Sequence, residues 1–360
     1  MEIGVPKEIK DREFRVGLSP ASVKALCNAD HAVFVQTQAG VGSGFADADY
    51  EQMGASIVAD AAAAWNRELV VKVKEPLPDE YGFLQKGQIL FTYLHLAAAQ
   101  TLTEQAIDSG ITAIAYESVE ANGTLPLLIP MSIIAGRLSV QFGAHFLERQ
   151  QGGSGVLLGG IPGVRSGRVA IVGGGVVGTE AARMAIGMGA QVQILDIDVN
   201  RLAYLESLFG ARAELLYSTA AEIEAIVPAA DLLIGAVLIP GRRAPHLVKR
   251  DTIAKMREGS VIVDVAVDQG GCIETIRPTS HSHPTYIEQG VIHYGVPNMP
   301  GAVPRTATQA LNNSTLPYAI ELANYGLKAL ELNAGLNAAV NVRDRQLVHP
   351  AVREVFPDLA

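Results

Sequence analysis

The chain has 360 residues, more than one ordinary hydrophobic core holds, so two domains are expected. Ala, Gly and Val are abundant and only 6% of residues are aromatic, a mixture that suits tightly packed α/β layers rather than a β-sandwich. A formal net charge of −9 with no basic block argues against nucleic acid and anionic membrane surfaces as partners, and no apolar run reaches spanning length without a Pro or a charge.

The chain opens on Met1-Glu-Ile-Gly-Val-Pro-Lys-Glu, charged where a secretory signal would be apolar. Residues 2–5 read as a strand. Ser19-Pro20 then supplies a helix cap followed by Pro at the first helical position, predicting a helix to about Asn28. Further strands are expected at 32–37, 69–73, 88–94 and 112–115. Strands alternating with helices imply a mostly parallel sheet covered on both faces. A long helix over 133–149 carries Gly136, Ser139, Gly143 and Ala144, small enough for close packing. Beyond a glycine-rich loop a second series begins, with strands at 168–172, 191–196, 213–217, 231–236, 260–266 and 291–295. After Arg305 the pattern becomes helical, through 316–332. The fold class is therefore α/β, with two doubly wound, mostly parallel sheets. Residues 1–129 and 306–360 form one discontinuous domain, and 130–305 are inserted within it. The two cysteines, Cys27 and Cys272, are far apart and in no metal-like spacing, which fits a reducing, cytoplasmic setting. The histidines, including His281 and His283, have no Cys or carboxylate framework, so no metal site is expected.

The strand at 168–172 runs into Gly173-Gly-Gly175-Val-Val-Gly178 and then a helix. This is G-x-G-x-x-G in the context its physics requires. Gly173 makes the tight turn, Gly175 lets backbone approach a pyrophosphate, and Gly178 lets helix and strand pack closely. The helix start presents free N–H groups and the positive end of its dipole. The next strand ends in Asp196, placed to accept from ribose hydroxyls and to repel a 2′-phosphate. The inserted domain therefore reads as a Rossmann unit binding NAD in preference to NADP.

Hydride chemistry at carbon also needs a proton-exchanging group and a charge to hold substrate. Lys72 and Lys74 share a strand face by alternation, and Pro76 leaves Lys74 near the strand's C-terminal end, although on spacing alone the pair reads as a solvated edge. His95 ends an apolar strand, where it is either a general acid/base or a satisfied core histidine. Asp264 and Asp268 lie on one face of another apolar strand, and Asp268 sits where the nicotinamide half of the cofactor would lie. Arg15 follows the first strand and suits a carboxylate.

Taken together, several long segments resemble the alanine dehydrogenases, in the family they share with nicotinamide nucleotide transhydrogenases. The carriers are Glu13-Phe-Arg-Val, Val71-Lys-Val-Lys-Glu-Pro, Phe91-Thr-Tyr-Leu-His-Leu-Ala and Met131-Ser-Ile-Ile-Ala-Gly-Arg, then Gly235-Ala-Val-Leu-Ile-Pro-Gly, Val263-Asp-Val-Ala-Val-Asp-Gln-Gly-Gly-Cys and Val296-Pro-Asn-Met-Pro. One departure is Ser154, where the family commonly has Arg after Gln-Gly-Gly. The resemblance implies NAD-dependent interconversion of L-alanine with pyruvate and ammonia. It implies that Arg15 and Lys74 hold the substrate and that His95 and Asp268 are the acid/base residues. Its cofactor contacts carry over to Ser132, Val176, Val177, Asp196, Arg201, Ser218, Val237, Leu238 and Arg277, to Val265, Ala266, Val267 and Asp268 at the nicotinamide end, and to Val296, Pro297, Asn298 and Met299. It also implies a homohexamer. The rival readings are the soluble dinucleotide-binding component of a transhydrogenase, a saccharopine-forming type of dehydrogenase, and a non-catalytic NAD-binding regulator.

Overall fold

The structure is a computed structural model that describes residues 1–237 and 244–359. The chain divides into two compact units, Met1–Met131 with Val303–Ala360, and Ser132–Ala302. It passes from the first to the second inside the helix Ile129–Phe146. Among the described residues no helix is long and apolar enough to cross a membrane.

In chain order the first unit contributes β1 (Glu2–Val5), β2 (Ala32–Gln36), β3 (Ser56–Val58), β4 (Leu69–Val71), β5 (Ile89–Thr92) and β6 (Thr112–Ala115). The second contributes β7 (Arg168–Val172), β8 (Gln191–Asp196), β9 (Ala213–Tyr217), β10 (Leu232–Gly235), β11 (Val261–Asp264), β12 (Thr285–Glu288) and β13 (Val291–Tyr294). The chain then returns to the first unit for β14 (Val340–Arg343) and β15 (Gln346–Leu347).

The first sheet runs β15-β14-β6-β5-β4-β1-β2-β3. Strands β1 to β6 are parallel, and β14 and β15 add to the β6 edge antiparallel. Every residue of β4, β5 and β6 is buried, as expected for parallel strands covered on both faces. One face packs Trp65, Val70, Leu90, Leu94 and Ala113 into a single apolar cluster. Ser19 caps the helix Pro20–Asn28 by accepting from the Ser22 N–H, with Pro20 in the first turn. The returning helix Pro304–Tyr325 is tied to the start of the chain. The Val16 N–H donates to Thr308 Oγ1 at 3.2 Å and the Ser19 N–H to Asn312 Oδ1 at 2.7 Å.

The second sheet runs β12-β13-β11-β10-β7-β8-β9, parallel except for the edge strand β12. From β7 the chain winds outward through β8 to β9, then crosses back to β10, β11 and β13. The order therefore reverses between β7 and β10. In open α/β sheets the C-terminal ends of the strands at such a reversal are where ligands bind. Gly136 of the helix Ile129–Phe146 lies so close to the Val177 carbonyl that a Cβ there would approach it to 2.3 Å, which only a small residue permits.

Four expectations need correction. The strand expected at 69–73 stops at Val71, so Lys72 and Lys74 do not share a strand face. Past Val71 the contacts to the β5 side persist, with the Lys72 N–H donating to the Phe91 carbonyl at 3.2 Å, but Glu8 Oε1 takes the N–H groups of Val73 at 2.6 Å and Lys74 at 3.3 Å. The strand expected at 260–266 stops at Asp264, so Asp264 and Asp268 are not related by alternation. Asp264 accepts from the N–H groups of Ala266 and Cys272, both at 2.9 Å, and turns the chain. The long helix begins and ends earlier than 133–149, and Arg149 opens a separate turn. The last segment is not helical throughout: its long helix spans Pro304–Tyr325, and the chain then forms β14 and β15.

Candidate functional site

In the first unit the candidate residues gather at the C-terminal ends of β1, β4 and β5. Arg15 is 2% exposed and held in a fork by Glu13, with Nε donating to Oε1 at 2.7 Å and Nη2 to Oε2 at 2.6 Å. Its Nη1 lies 3.1 Å from Met131 Sδ. Lys72 is wholly buried, 3.1 Å from Glu8 and 2.8 Å from Glu80. Burial alone would lower the affinity of this ammonium for its proton; the two carboxylates outweigh that and hold it above the ordinary lysine value. Lys74 behaves oppositely. Burial pushes its ammonium below the ordinary value, and the nearby charges of Lys10 and Arg15 add to this, against the opposing pull of Glu75 at 3.4 Å. The result is a buried ammonium with a weakened hold on its proton beside a fixed guanidinium.

His95 follows β5 and adopts a left-handed backbone with φ 49°, uncommon for a side chain other than glycine. Its ring stacks on Tyr93 with centroids 5.9 Å apart, and its side chain is 43% exposed. Glu117, just past β6, accepts from the His95 N–H at 2.6 Å and from the Leu94 N–H at 3.2 Å, and stands 3.8 Å from His95 Nδ1. The Tyr93 hydroxyl is committed to the Leu127 carbonyl at 2.6 Å. Glu8, Glu13, Tyr93 and Glu117 were all missed in the sequence. Only Glu13, two residues before Arg15, stood close enough to its partner to leave a local signal.

In the second unit the glycine corner takes three distinct forms. Gly173 has φ 103°, and a Cβ on it would lie 2.6 Å from the Ala236 carbonyl oxygen. A Cβ on Gly178 would fall 1.9 Å from the Gly173 carbonyl oxygen, so helix and strand meet there without room for a side chain. A Cβ on Gly175 would meet nothing within 4 Å among the described residues. The space over Gly175, at the start of the helix Val176–Gly187, is thus a cradle open to an anionic group. Asp196 ends β8; its Oδ2 accepts from the Gly174 N–H at 2.6 Å and its Oδ1 from the Asp198 N–H at 2.9 Å, with lone pairs left for hydroxyl donors. Arg201 closes the corner from behind, donating to the Gly174 carbonyl at 2.5 Å and to Thr179 Oγ1 at 2.6 Å. These residues fit a dinucleotide pyrophosphate and its ribose.

Most of the other expected contacts lie along the same edge. The Ser218 N–H donates to the Asp196 carbonyl at 3.0 Å, and the Val265 N–H to the Gly235 carbonyl at 2.9 Å. Val237 borders Gly173, and Ala266 and Val267 are buried. Asp268 lies exposed in the short turn Val267–Gln269. Val296 and Met299 are buried past β13, with Pro297 exposed between them and the Asn298 carbonyl bonded to His281 Nε2 at 2.8 Å. Arg277 stands with its guanidinium 4.0 Å over the Tyr286 ring. Val176 and Val177 open the helix after Gly175, and Ser132 lies in the helix Ile129–Phe146. Leu238 lies outside the described residues. Cys272 is buried packing, its N–H donating to Asp264. Burial pushes the Asp264 carboxyl up to about 6, and the charge of Asp268 adds to this against the backbone N–H groups that oppose it.

The chain matches two family models. Alanine dehydrogenase/PNT, N-terminal domain, covers residues 4–135, and Alanine dehydrogenase/PNT, C-terminal domain, covers residues 139–350. It is 52% identical to alanine dehydrogenase 2 of Staphylococcus aureus (strain USA300), over 99% of this chain and 96% of that protein. It is 53% identical to an alanine dehydrogenase of Halomonas elongata, over 99% and 97%. A solved L-alanine dehydrogenase is 71% identical over 100% of both chains, with a TM-score of 0.98. A solved transhydrogenase from Sinorhizobium meliloti is 26% identical over 98% of this chain and 100% of that one, with a TM-score of 0.84. The chain therefore belongs to the alanine dehydrogenase/PNT family.

Proposed function

We propose that Arg15, Lys74, His95 and Asp268 carry the NAD-dependent interconversion of L-alanine with pyruvate and ammonia. The observation that carries this reading is the corner of the first unit where a lysine with a weakened hold on its proton stands beside a braced arginine, at the strand ends that also present His95. Arg15 is a fixed fork for the substrate carboxylate. Lys74 contributes a second cation and, in the reductive direction, stabilises charge developing on the pyruvate carbonyl oxygen. The first unit is thus the substrate and catalytic domain, and the second the NAD domain.

Bound NAD supplies the hydride acceptor for oxidation and, when reduced, the hydride donor for reductive amination. The cradle at Gly173, Gly175 and Gly178 would hold its pyrophosphate, and Asp196 its adenosine ribose, disfavouring a 2′-phosphate. The residues from Val265 to Asp268 would line its nicotinamide end, and the loop from Val296 to Met299 would add further contacts to the cofactor. Alanine must present a neutral amine before its α-hydrogen leaves, so a base takes one proton. Water then adds to the resulting iminium carbon, and His95 and Asp268 move protons as the carbinolamine collapses to pyruvate and ammonia. The protein works as a cytoplasmic homohexamer.

The test is NADH formation at alkaline pH with L-alanine against D-alanine, serine, glycine and lysine, in wild type and in His95→Ala. Turnover of L-alanine that falls by about 100-fold or more in the variant is expected. Tight NAD binding with no alanine turnover would instead favour a transhydrogenase-like module.

A further inference from the structure

We propose that Glu117 is the positioning residue for His95, its carboxylate gathering the backbone N–H groups of Leu94 and His95 so that the imidazole is held at the left-handed corner beyond β5. The proposal rests on the reading of His95 as an acid/base group. The register of the sheet brings the two together: Thr92 of β5 pairs with Ala115 of β6, so the residues just beyond each strand emerge side by side. Left to itself, a histidine at φ 49° would relax, because a left-handed backbone costs a side-chain-bearing residue about 1–2 kcal/mol. At the end of a parallel strand the next N–H groups also lose their ladder partners. Glu117 answers both demands. Its Oε1 takes the His95 N–H at 2.6 Å, and both its oxygens lie 3.2 Å from the Leu94 N. Hydrogen bonds to a charged acceptor are about twice as strong as neutral ones.

The same carboxylate is 3.8 Å from His95 Nδ1, beyond hydrogen-bond reach, so its grip on His95 runs through the backbone rather than the ring. Tyr93 holds the ring from another side: it stacks parallel to the imidazole while its hydroxyl is anchored on the Leu127 carbonyl. The backbone is thus clamped by Glu117, and the half-exposed ring lies parallel to Tyr93.

The experiment compares wild type, Glu117→Ala, Glu117→Gln and His95→Ala as full chains. It reads steady-state kinetics with L-alanine and NAD, and amide exchange of the segment from Tyr93 to Ala99. Glu117→Ala should lower kcat by about 100-fold, the cost of roughly an ångström of misplacement, while the alanine KM moves less than about threefold. Exchange should accelerate in that segment and not elsewhere in the first unit. Glu117→Gln keeps a carbonyl oxygen for the His95 N–H and should recover most of the protection and at least about tenfold in kcat over Glu117→Ala. Wild-type kcat in Glu117→Ala, unchanged exchange in the segment, or loss of protection spread through the whole unit would each overturn the proposal. Full activity in His95→Ala would sink the acid/base reading alone, and the exchange data would still judge the turn.

Discussion

Around Gly175 the chain builds its site from neighbours. One strand, one turn, one helix and the end of the next strand supply Gly173, Gly178 and Asp196, and the fit is set by what a Cβ would strike. Around Lys74 and His95 the backbone that carries each functional side chain is held by a carboxylate brought from elsewhere. Glu8 reaches Lys74 across 66 residues of sequence, and Glu117 reaches His95 across 22. The first corner is steric and local; the second is electrostatic and assembled. They should fail in different ways.

Removing charge from the assembled corner should cost most. In Lys72→Met the carboxylates of Glu8 and Glu80 would face each other in the core without their shared cation. Breaking a buried ion pair from one side costs about 3–5 kcal/mol, and the urea midpoint should drop accordingly. A loss under about 1 kcal/mol would mean that the corner is not charge-held.

Asp264 tests whether the second unit also depends on a buried charge. Its carboxyl titrates near 6 in the folded chain against an ordinary 3.8, so the folded state keeps a proton that the unfolded chain has already released. That contribution to stability is complete below pH 4 and is lost as pH rises through 6, by about 3 kcal/mol in all. Asp264→Asn should flatten the dependence of unfolding free energy on pH across that window. An unchanged slope would place the dependence on another group.

The smallest effect is a contrast between two alanine substitutions. Gly178→Ala forces a methyl against the Gly173 carbonyl and should cost about 1–3 kcal/mol of stability. Gly175→Ala meets no atom of the described residues within 4 Å, so stability should change by less than about 1 kcal/mol while NAD affinity falls, as titration calorimetry would record. Equal stability losses at both positions would erase the distinction between a packing glycine and a ligand-facing one.

The same contrast explains what could be read in advance. The path from β7 to Asp196 was legible because its parts sit at fixed short spacings. Apolar runs with a breaking residue located β5, β6 and β10, but they overran at Lys72 and at Val265. Just past each position a carboxylate takes the next backbone N–H groups: Glu8 those of Val73 and Lys74, Asp264 that of Ala266. Nothing in the periodicity of a strand announces such a competitor. β14 and β15 were missed because they form a short hairpin of four and two residues, and the edge that β14 joins, β6, lies more than two hundred residues earlier. Glu117 was invisible for a similar reason: only the register of two neighbouring strands shows what it does.

That late pairing also bears on how the chain is made. On the ribosome β6 emerges long before β14, and the whole second unit is synthesised between them. Until the final residues appear, the first sheet has a bare parallel edge and no partner for Val16 and Ser19 from the helix Pro304–Tyr325. An unpaired edge of this kind invites aggregation. The nascent polypeptide should therefore be most dependent on chaperones after its second unit has closed and before its last strands arrive, and a truncation lacking β14 should leave an intact nucleotide domain attached to a sticky, unfinished one.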